Sequence, residues 1–176
     1  PPVGTSIATL AAARHPAQRR LAFEELLAHQ LSLQQLKQRV QREPAQPLVD
    51  AAGLAARFIA SLPFALTGAQ RRVLDDVERD LARDVPMMRL VQGDVGCGKT
   101  VVAAAAAARA VGSGRQAALM APTELLAEQH WRSFDSWFRP LGITVALLSG
   151  SQPARTRRSA LEAVASGEVQ IAVGTH

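Results

Sequence analysis

Gly93-Asp94-Val95-Gly96-Cys97-Gly98-Lys99-Thr100 is the stretch that decides the fold, because it fits the pattern G-x-x-x-x-G-K-[ST] without a mismatch. Glycines let the backbone turn through positive φ and approach an anion with no side chain in the way. Successive N–H groups of such a loop, and the N-terminus of the helix that follows, then point at one place and favour a phosphate. The pattern therefore predicts a phosphate-binding loop between a strand and a helix.

Every residue of this loop is expected to contact a bound nucleotide, and two side chains have chemical roles of their own. Lys99 would neutralise the β- and γ-phosphate oxygens, and Thr100 would ligate Mg²⁺, so these two are the predicted catalytic residues. Cys97 is interpreted as a position that needs only a small side chain, the alternative being a thiol sensitive to oxidants. The predicted nucleotide contacts in the loop are Gly93, Asp94, Val95, Gly96, Cys97, Gly98, Lys99 and Thr100.

Hydrophobic runs on both sides of the loop predict alternating strands and helices. Apolar strands that are each followed by a helix are typical of a parallel sheet with helices on both faces. The predicted strands are residues 88–92, 116–121, 143–149 and 169–174. The predicted helices are residues 18–42, 53–61, 67–83, 100–111, 123–138 and 153–166. The fold class is therefore α/β, with a tail and helical connector over residues 1–62 and a nucleotide-binding domain over residues 63–176.

Composition places the chain among globular proteins, with 48% hydrophobic and 20% charged residues. The formal net charge of +5 fits an anionic partner such as nucleic acid without identifying one. A single cysteine excludes an internal disulfide and favours a reducing, cytoplasmic location. No apolar run approaches the roughly 18 residues of a membrane helix, so no membrane partner is expected. Both ends resemble cut ends, and a fragment of a longer protein is expected.

The segment from Pro63 to Gln70, one helix ahead of the loop, has two interpretations. The Gln70 amide can pair with the donor and acceptor edge of adenine, and the Phe64 ring can stack on its face. Thr67-x-x-Gln70 is also a capping box, which closes the N-terminus of a helix. The two roles are compatible, and the local sequence does not choose between them.

Three predicted strand ends carry residues suited to a nucleic acid. The strand over residues 116–121 runs into Pro122-Thr123-Glu124, a helix start whose free N–H groups suit a backbone phosphate. Gly150 follows the next predicted strand, and Gly174 and Thr175 end the last one. The alternative at each position is an ordinary capped helix or turn.

Four segments together resemble the motifs of superfamily 2 helicases, namely Pro63–Gln70, Gly93–Thr100, Pro122–Glu124 and Gly174–His176. The resemblance implies an incomplete RecA-like motor domain of the P-loop NTPase class, with ATP and Mg²⁺ as cofactors. It implies that Phe64 and Gln70 recognise adenine and that the strand-end residues lie along DNA. Branched DNA is the implied partner, and the parent protein is expected to be a monomer. Such enzymes usually carry Ser where this chain has Cys97.

The resemblance also implies parts that this sequence lacks. No strand-like run after the loop ends in the Asp-Glu pair that would hold Mg²⁺ and orient the attacking water, and no second motor domain supplies an arginine. The chain alone is therefore expected to show negligible ATP hydrolysis. Its parent is expected to be an ATP-dependent DNA helicase that remodels branched DNA in recombination and repair.

Two other classes of function stay open at this point. A phosphotransferase or a GTPase shares the loop, but it would need an acceptor site or a guanine-reading segment such as Asn-Lys-x-Asp, which is absent. A non-catalytic scaffold would keep the fold and use its basic surface only to bind a nucleic acid or another partner.

Overall fold

The computed structural model describes residues 15–175, together with Ala8 and Ala11. The chain divides into two compact units, the first ending at Pro44 and the second beginning at Ala45. The predicted boundary between the connector and the nucleotide-binding domain, between residues 62 and 63, lies inside the second unit. That boundary is a statement about function and stays a prediction.

The first unit contains helix α1 (Pro16–Val40), as predicted for residues 18–42. Nδ1 of His15 accepts from the backbone N–H of Ala17 at 3.2 Å and so caps the helix. Pro16 suits the first position, because the N–H that it lacks would have no partner in the helix. No residue of α1 is buried. Its exposed large apolar side chains are Leu21, Phe23, Leu26, Leu27, Leu31, Leu33 and Leu36.

The second unit alternates helices and strands. Its elements are α2 (Leu54–Ser61), α3 (Gly68–Leu81), α4 (Lys99–Gly112), β1 (Ala117–Met120), α5 (Glu124–Phe138), a 3-10 turn (Arg139–Leu141), β2 (Val145–Leu148), α6 (Ala154–Ser166) and β3 (Ile171–Gly174). All six predicted helices and the last three predicted strands of the chain are confirmed to within a few residues.

The sheet of the second unit is parallel and has the strand order β1-β3-β2. Ala117, Ile171 and Val145 are level with one another across it. The central strand β3 has fully buried Ile171 and Val173 side chains, as expected of a strand in a covered parallel sheet. The predicted α/β class with a parallel sheet is therefore confirmed.

The strand predicted over residues 88–92 is wrong, because this segment pairs with no strand in the described part of the chain. A β-strand depends on hydrogen bonds from a neighbour, and apolar composition alone does not supply one. Leu90 is instead 88% exposed. Arg89 holds the segment to α3 by donating to Asp80 at 2.7 Å and to Asp76 at 3.2 Å. The phosphate loop is thus entered from irregular backbone.

The core of the second unit combines an aromatic cluster with the alanine-rich face of α4. Phe58 and Phe138 are fully buried and stack with their ring centroids 5.0 Å apart. Ala104 and Ala108 of α4 are also fully buried. Small side chains on α4 let neighbouring elements approach the helix closely, so this face and the rings form one packed core.

Polar contacts attach the segment before α2 to the same core. Both carboxylate oxygens of Asp50 accept from the first N–H groups of α2, at 2.9 and 2.8 Å. Arg109 of α4 donates to the carbonyl oxygen of Leu48 at 2.9 Å and to Glu78 at 2.6 Å. Residues 45–62 therefore fold as part of the second unit, although the sequence placed them with the connector.

We expect Phe58→Ala to lower the free energy of unfolding of the second unit by about 3–5 kcal/mol, because it removes a fully buried ring from the core. The matched control is Phe23→Ala on α1, where the side chain is 61% exposed and the expected change is within about 0.5 kcal/mol. Urea unfolding followed by circular dichroism measures both, and equal costs would contradict the assignment of α2 to the core.

Candidate functional site

The phosphate loop enters helix α4 through two left-handed glycines. Gly96 has φ 84°, and Gly98, the N-cap of α4, has φ 88°. No side chain caps this helix start. Within the described residues, the N–H of Cys97 donates to the Asp94 carbonyl at 3.2 Å, whereas the N–H groups of Gly96, Gly98, Lys99 and Thr100 have no protein acceptor. Unpaired donors at a helix start are the arrangement that binds a phosphate.

The ammonium group of Lys99 lies against the loop itself. Its Nζ donates to the carbonyl oxygens of Gly93 and Asp94, both at 2.8 Å, and lies 3.7 Å from Sγ of Cys97. A Cβ atom at Gly93 would lie 2.6 Å from that sulfur, so a larger residue there would force the Cys97 side chain to move. The loop therefore concentrates one positive side chain and several free N–H donors in one place.

Gln70 connects the start of α3 to the phosphate loop. Its Oε1 accepts from the Thr67 N–H at 2.8 Å, and the Gln70 N–H donates to the Thr67 hydroxyl at 3.2 Å, which confirms the capping box. The Nε2 group also donates to the Cys97 carbonyl at 2.9 Å. Sequence reasoning missed this last contact, because nothing in the local pattern links residues 27 positions apart. The contact with adenine stays a prediction.

Phe64 borders a separate groove beside α3. The ring is half exposed, and the cavity that it borders has a volume of about 470 Å³. The other lining residues are Ile59, Ala65, Leu66, Arg71, Leu74, Asp75 and Glu78. Gln70 is not among them, because its side chain is engaged at the loop. The structure thus places Phe64 at this groove, ahead of α3, and the Gln70 side chain at the phosphate loop.

The predicted nucleic-acid residues lie together at the carboxyl edge of the sheet. This edge is where β1 runs into Pro122 and Thr123, β2 into Gly150, and β3 into Thr175. The Thr123 hydroxyl accepts from the Leu126 N–H at 3.3 Å and caps α5, so the ordinary cap is confirmed there. The N–H of Thr175 donates to the Leu148 carbonyl at 3.4 Å. Contact with DNA stays a prediction for all of these residues.

Glu124 joins two of these strand ends. Its Oε1 accepts from the Ser151 N–H at 2.9 Å. Hydrogen bonds from the Ser151 and Ser149 hydroxyls, and then from the backbone of Ser151 and Gly150, hold the pKa of the Glu124 carboxyl below its usual value. Glu124 therefore positions the turn after β2 through its carboxylate. Sequence reasoning named Glu124 and Gly150 separately and did not foresee that they are adjacent.

The described residues contain no group of three or more His, Cys, Asp and Glu side chains arranged to hold a metal ion. The role of Thr100 as a metal ligand stays a prediction. The same part of the chain contains no helix that is long and apolar enough to cross a membrane.

The fold and the loop together define a class of protein. Residues 67–176 match the model of the DEAD/DEAH box helicases, and the chain therefore belongs to the DEAD/DEAH box helicase family. The resemblance to superfamily 2 helicases is confirmed.

Within that family, the chain is similar to the ATP-dependent DNA helicase RecG of several bacteria. It is 57% identical to RecG of Escherichia coli K12 over 176 residues, which are the whole chain and 25% of that protein. It is 47% identical over 162 residues to RecG of Bacillus subtilis, covering 91% of the chain and 24% of that protein. The chain thus spans about a quarter of the length of these relatives.

Solved structures agree with this similarity. A structure of RecG bound to a three-way DNA junction superimposes with a TM-score of 0.79 at 39% identity, covering 90% of this chain and 22% of that one. A hypothetical ATP-dependent RNA helicase from Sulfolobus tokodaii gives a TM-score of 0.51 at 20% identity, covering 69% of this chain and 33% of that one. The second match shows the fold alone.

We expect Gly98→Ala to cost about 2–3 kcal/mol in the free energy of unfolding. A left-handed conformation costs an L-residue about 1–2 kcal/mol, and the new Cβ would displace Nε2 of Gln70 from the Cys97 carbonyl, a hydrogen bond worth about 1 kcal/mol. The control is Gly167→Ala, which has φ 83° with no atom near its Cβ position and should cost only the backbone strain. Equal costs in urea unfolding would contradict the role of Gln70.

We expect the stabilisation from Glu124 to depend on pH. Because its pKa is lowered in the folded protein, the contribution is complete above the ordinary value of about 4.5 and is lost as the pH falls through the lowered value. Urea unfolding should therefore separate wild type from Glu124→Gln at pH 7 and much less at pH 3. The control, Glu128→Gln in an exposed ion pair with Arg132, should differ little from wild type. A difference for Glu124→Gln that is the same at both pH values would contradict the contact.

Proposed function

We propose that this chain is the nucleotide-binding part of an ATP-dependent DNA helicase. The observation that carries the proposal is the loop at the start of α4, where four backbone N–H groups without protein acceptors lie beside the Lys99 ammonium. Family membership and the similarity to RecG support ATP as the nucleotide and DNA as the polymer on which the complete protein acts.

The loop residues are proposed to make different contacts with the nucleotide. The backbone of Gly93–Thr100 cradles the phosphates, and Lys99 supplies the positive charge on the oxygens that carry it. Gln70 is proposed to recognise adenine. After Oε1 accepts from Thr67 and Nε2 donates to Cys97, one lone pair on Oε1 and one N–H of Nε2 remain for the base. The Phe64 ring is proposed to stack on the face of the base.

Mg²⁺ is proposed as the second cofactor, with Thr100 as its ligand from this loop. Mg²⁺ commonly keeps several water molecules and takes substrate phosphates with only one or two protein ligands, so one hydroxyl in this position fits the ion. The ion, when bound, would offset the negative charge of the phosphates. Thr100 is adjacent to Lys99, and both lie in the first turn of α4.

DNA is proposed to lie along the carboxyl edge of the sheet, against Pro122, Thr123, Gly150, Gly174 and Thr175. Parallel strands end together there, so one polymer can touch all three strand ends in turn. Glu124 fixes the spacing of the first two ends through Ser151. The RecG structure that resembles this chain is bound to a three-way DNA junction, which favours branched DNA as the substrate. The proposed cytoplasmic location is supported by the single cysteine.

The proposal is tested by Lys99→Ala in the intact protein that carries this chain. DNA-stimulated ATP hydrolysis is expected to fall by at least about 100-fold, because a charge aimed at the phosphates is lost. The matched control is Lys37→Ala on the exposed surface of α1, the other lysine of the sequence, which should leave hydrolysis unchanged.

Two outcomes would separate the alternatives. Hydrolysis that survives Lys99→Ala would indicate that the loop is not catalytic, as in a scaffold. Competition between ATP and GTP for the wild-type protein tests the nucleotide, and a preference for GTP would contradict the helicase and favour a GTPase.

A further inference from the structure

Three arginines crowd the first turns of α6, directly after the turn that Glu124 holds. Arg155, Arg157 and Arg158 are all exposed, and within the described residues none of their guanidinium groups makes an ion pair or a side-chain hydrogen bond. Their α-helix begins at Ala154, three residues after Ser151.

Five of the nine arginines on helices α3 to α5 or beside them are engaged with an acid, whereas Arg71, Arg72, Arg83 and Arg115 are in no ion pair of the described residues. These paired residues are Arg79, Arg89, Arg109, Arg132 and Arg139. Near the cluster, Glu162 is four residues beyond Arg158, but the two side chains are not within ion-pair distance in the structure, and the Glu124 carboxylate is bound to the serine turn. Three positive charges therefore face solvent with no nearby carboxylate bound to them.

Helix geometry places the cluster over the edge of the sheet. Arg157 lies on the same stripe as the partly buried Ala160 and Val164, at spacings of three and seven residues, and α6 packs against β2. Side chains on a helix lean toward its N-terminus, which brings Arg157 toward the turn at Gly150. Arg155 and Arg158 are three residues apart and share the outer face of the same turns.

We propose that Arg155, Arg157 and Arg158 bind consecutive phosphates of a DNA strand that continues past the carboxyl edge of the sheet onto α6. The guanidinium group donates two parallel hydrogen bonds to a phosphate and keeps its charge at any physiological pH, so a cluster of unpaired arginines around one helix start suits a DNA backbone that passes it. The inference rests on the proposed function, because it extends the DNA path of that proposal by three named contacts.

The test is the triple variant Arg155→Gln/Arg157→Gln/Arg158→Gln of the intact protein. Binding of a fluorescent single-stranded oligonucleotide is measured by anisotropy, without nucleotide, between 50 and 200 mM salt. Each phosphate contact contributes about 0.7 to the slope of log affinity against log salt, so the slope should fall by about 2. Over that range, the affinity of the wild type should drop roughly 20-fold more than that of the variant.

The matched control is Arg79→Gln/Arg132→Gln/Arg139→Gln, which removes the same charge from exposed arginines that are each paired with an acid three or four residues earlier in the chain. It should keep the wild-type slope. The variant Arg155→Lys/Arg157→Lys/Arg158→Lys should also keep most of the slope, because lysine retains the charge. Thermal midpoints of all variants within a few degrees of wild type show that the fold is intact.

Two results would overturn the inference. The first is a wild-type slope in the α6 glutamine variant, and the second is an equal fall in the control, which would indicate long-range charge and not contact. Failure of the proposed function is distinguishable, because it is measured by ATP hydrolysis of wild type and Lys99→Ala. If Lys99→Ala loses hydrolysis and the α6 glutamine variant keeps the wild-type slope, the proposed helicase function is supported and the proposed arginine contacts are wrong.

Discussion

The left-handed turn at Gly98 is the constraint on which the site depends. It lets irregular backbone turn directly into α4, whose first residue is Lys99. The helix cannot shift, because Ala104 and Ala108 are fully buried against the aromatic core. Core packing therefore fixes the direction in which the unpaired N–H groups point. A binding site for an anion gains from such rigidity, since the donors need no rearrangement when the ligand arrives.

Helix α3 also holds the phosphate loop, through the Gln70 side chain. The Gln70 side chain closes the N-terminus of α3 and also holds the Cys97 carbonyl, so α3 and the loop share one amide. The start of α3 and the loop are therefore joined by a hydrogen bond as well as by the chain between them. The Phe64 groove lies beside these first turns of α3.

At the carboxyl edge of the sheet, one side chain likewise joins two separate elements. One carboxylate, that of Glu124, spans from the start of α5 to the turn after β2. The side chain is exposed, and its carboxylate accepts from the Ser151 N–H, which offsets part of its negative charge. The surface beyond that turn carries the exposed arginines of α6. The proposed DNA path therefore passes an exposed carboxylate that is held in place by a hydrogen bond.

The sequence by itself determined the features that depend on neighbours along the chain. The loop pattern, the Thr67–Gln70 cap and the helices follow from spacings of three, four or eight residues, and the structure has all of them. The tertiary structure decided what depends on distant partners. The segment 88–92 has the composition of a strand and is not one, because pairing comes from outside it. The contacts of Gln70 with Cys97 and of Glu124 with Ser151 each join residues 27 positions apart. Such contacts form only when packing has fixed where each element lies, so no local sequence pattern predicts them.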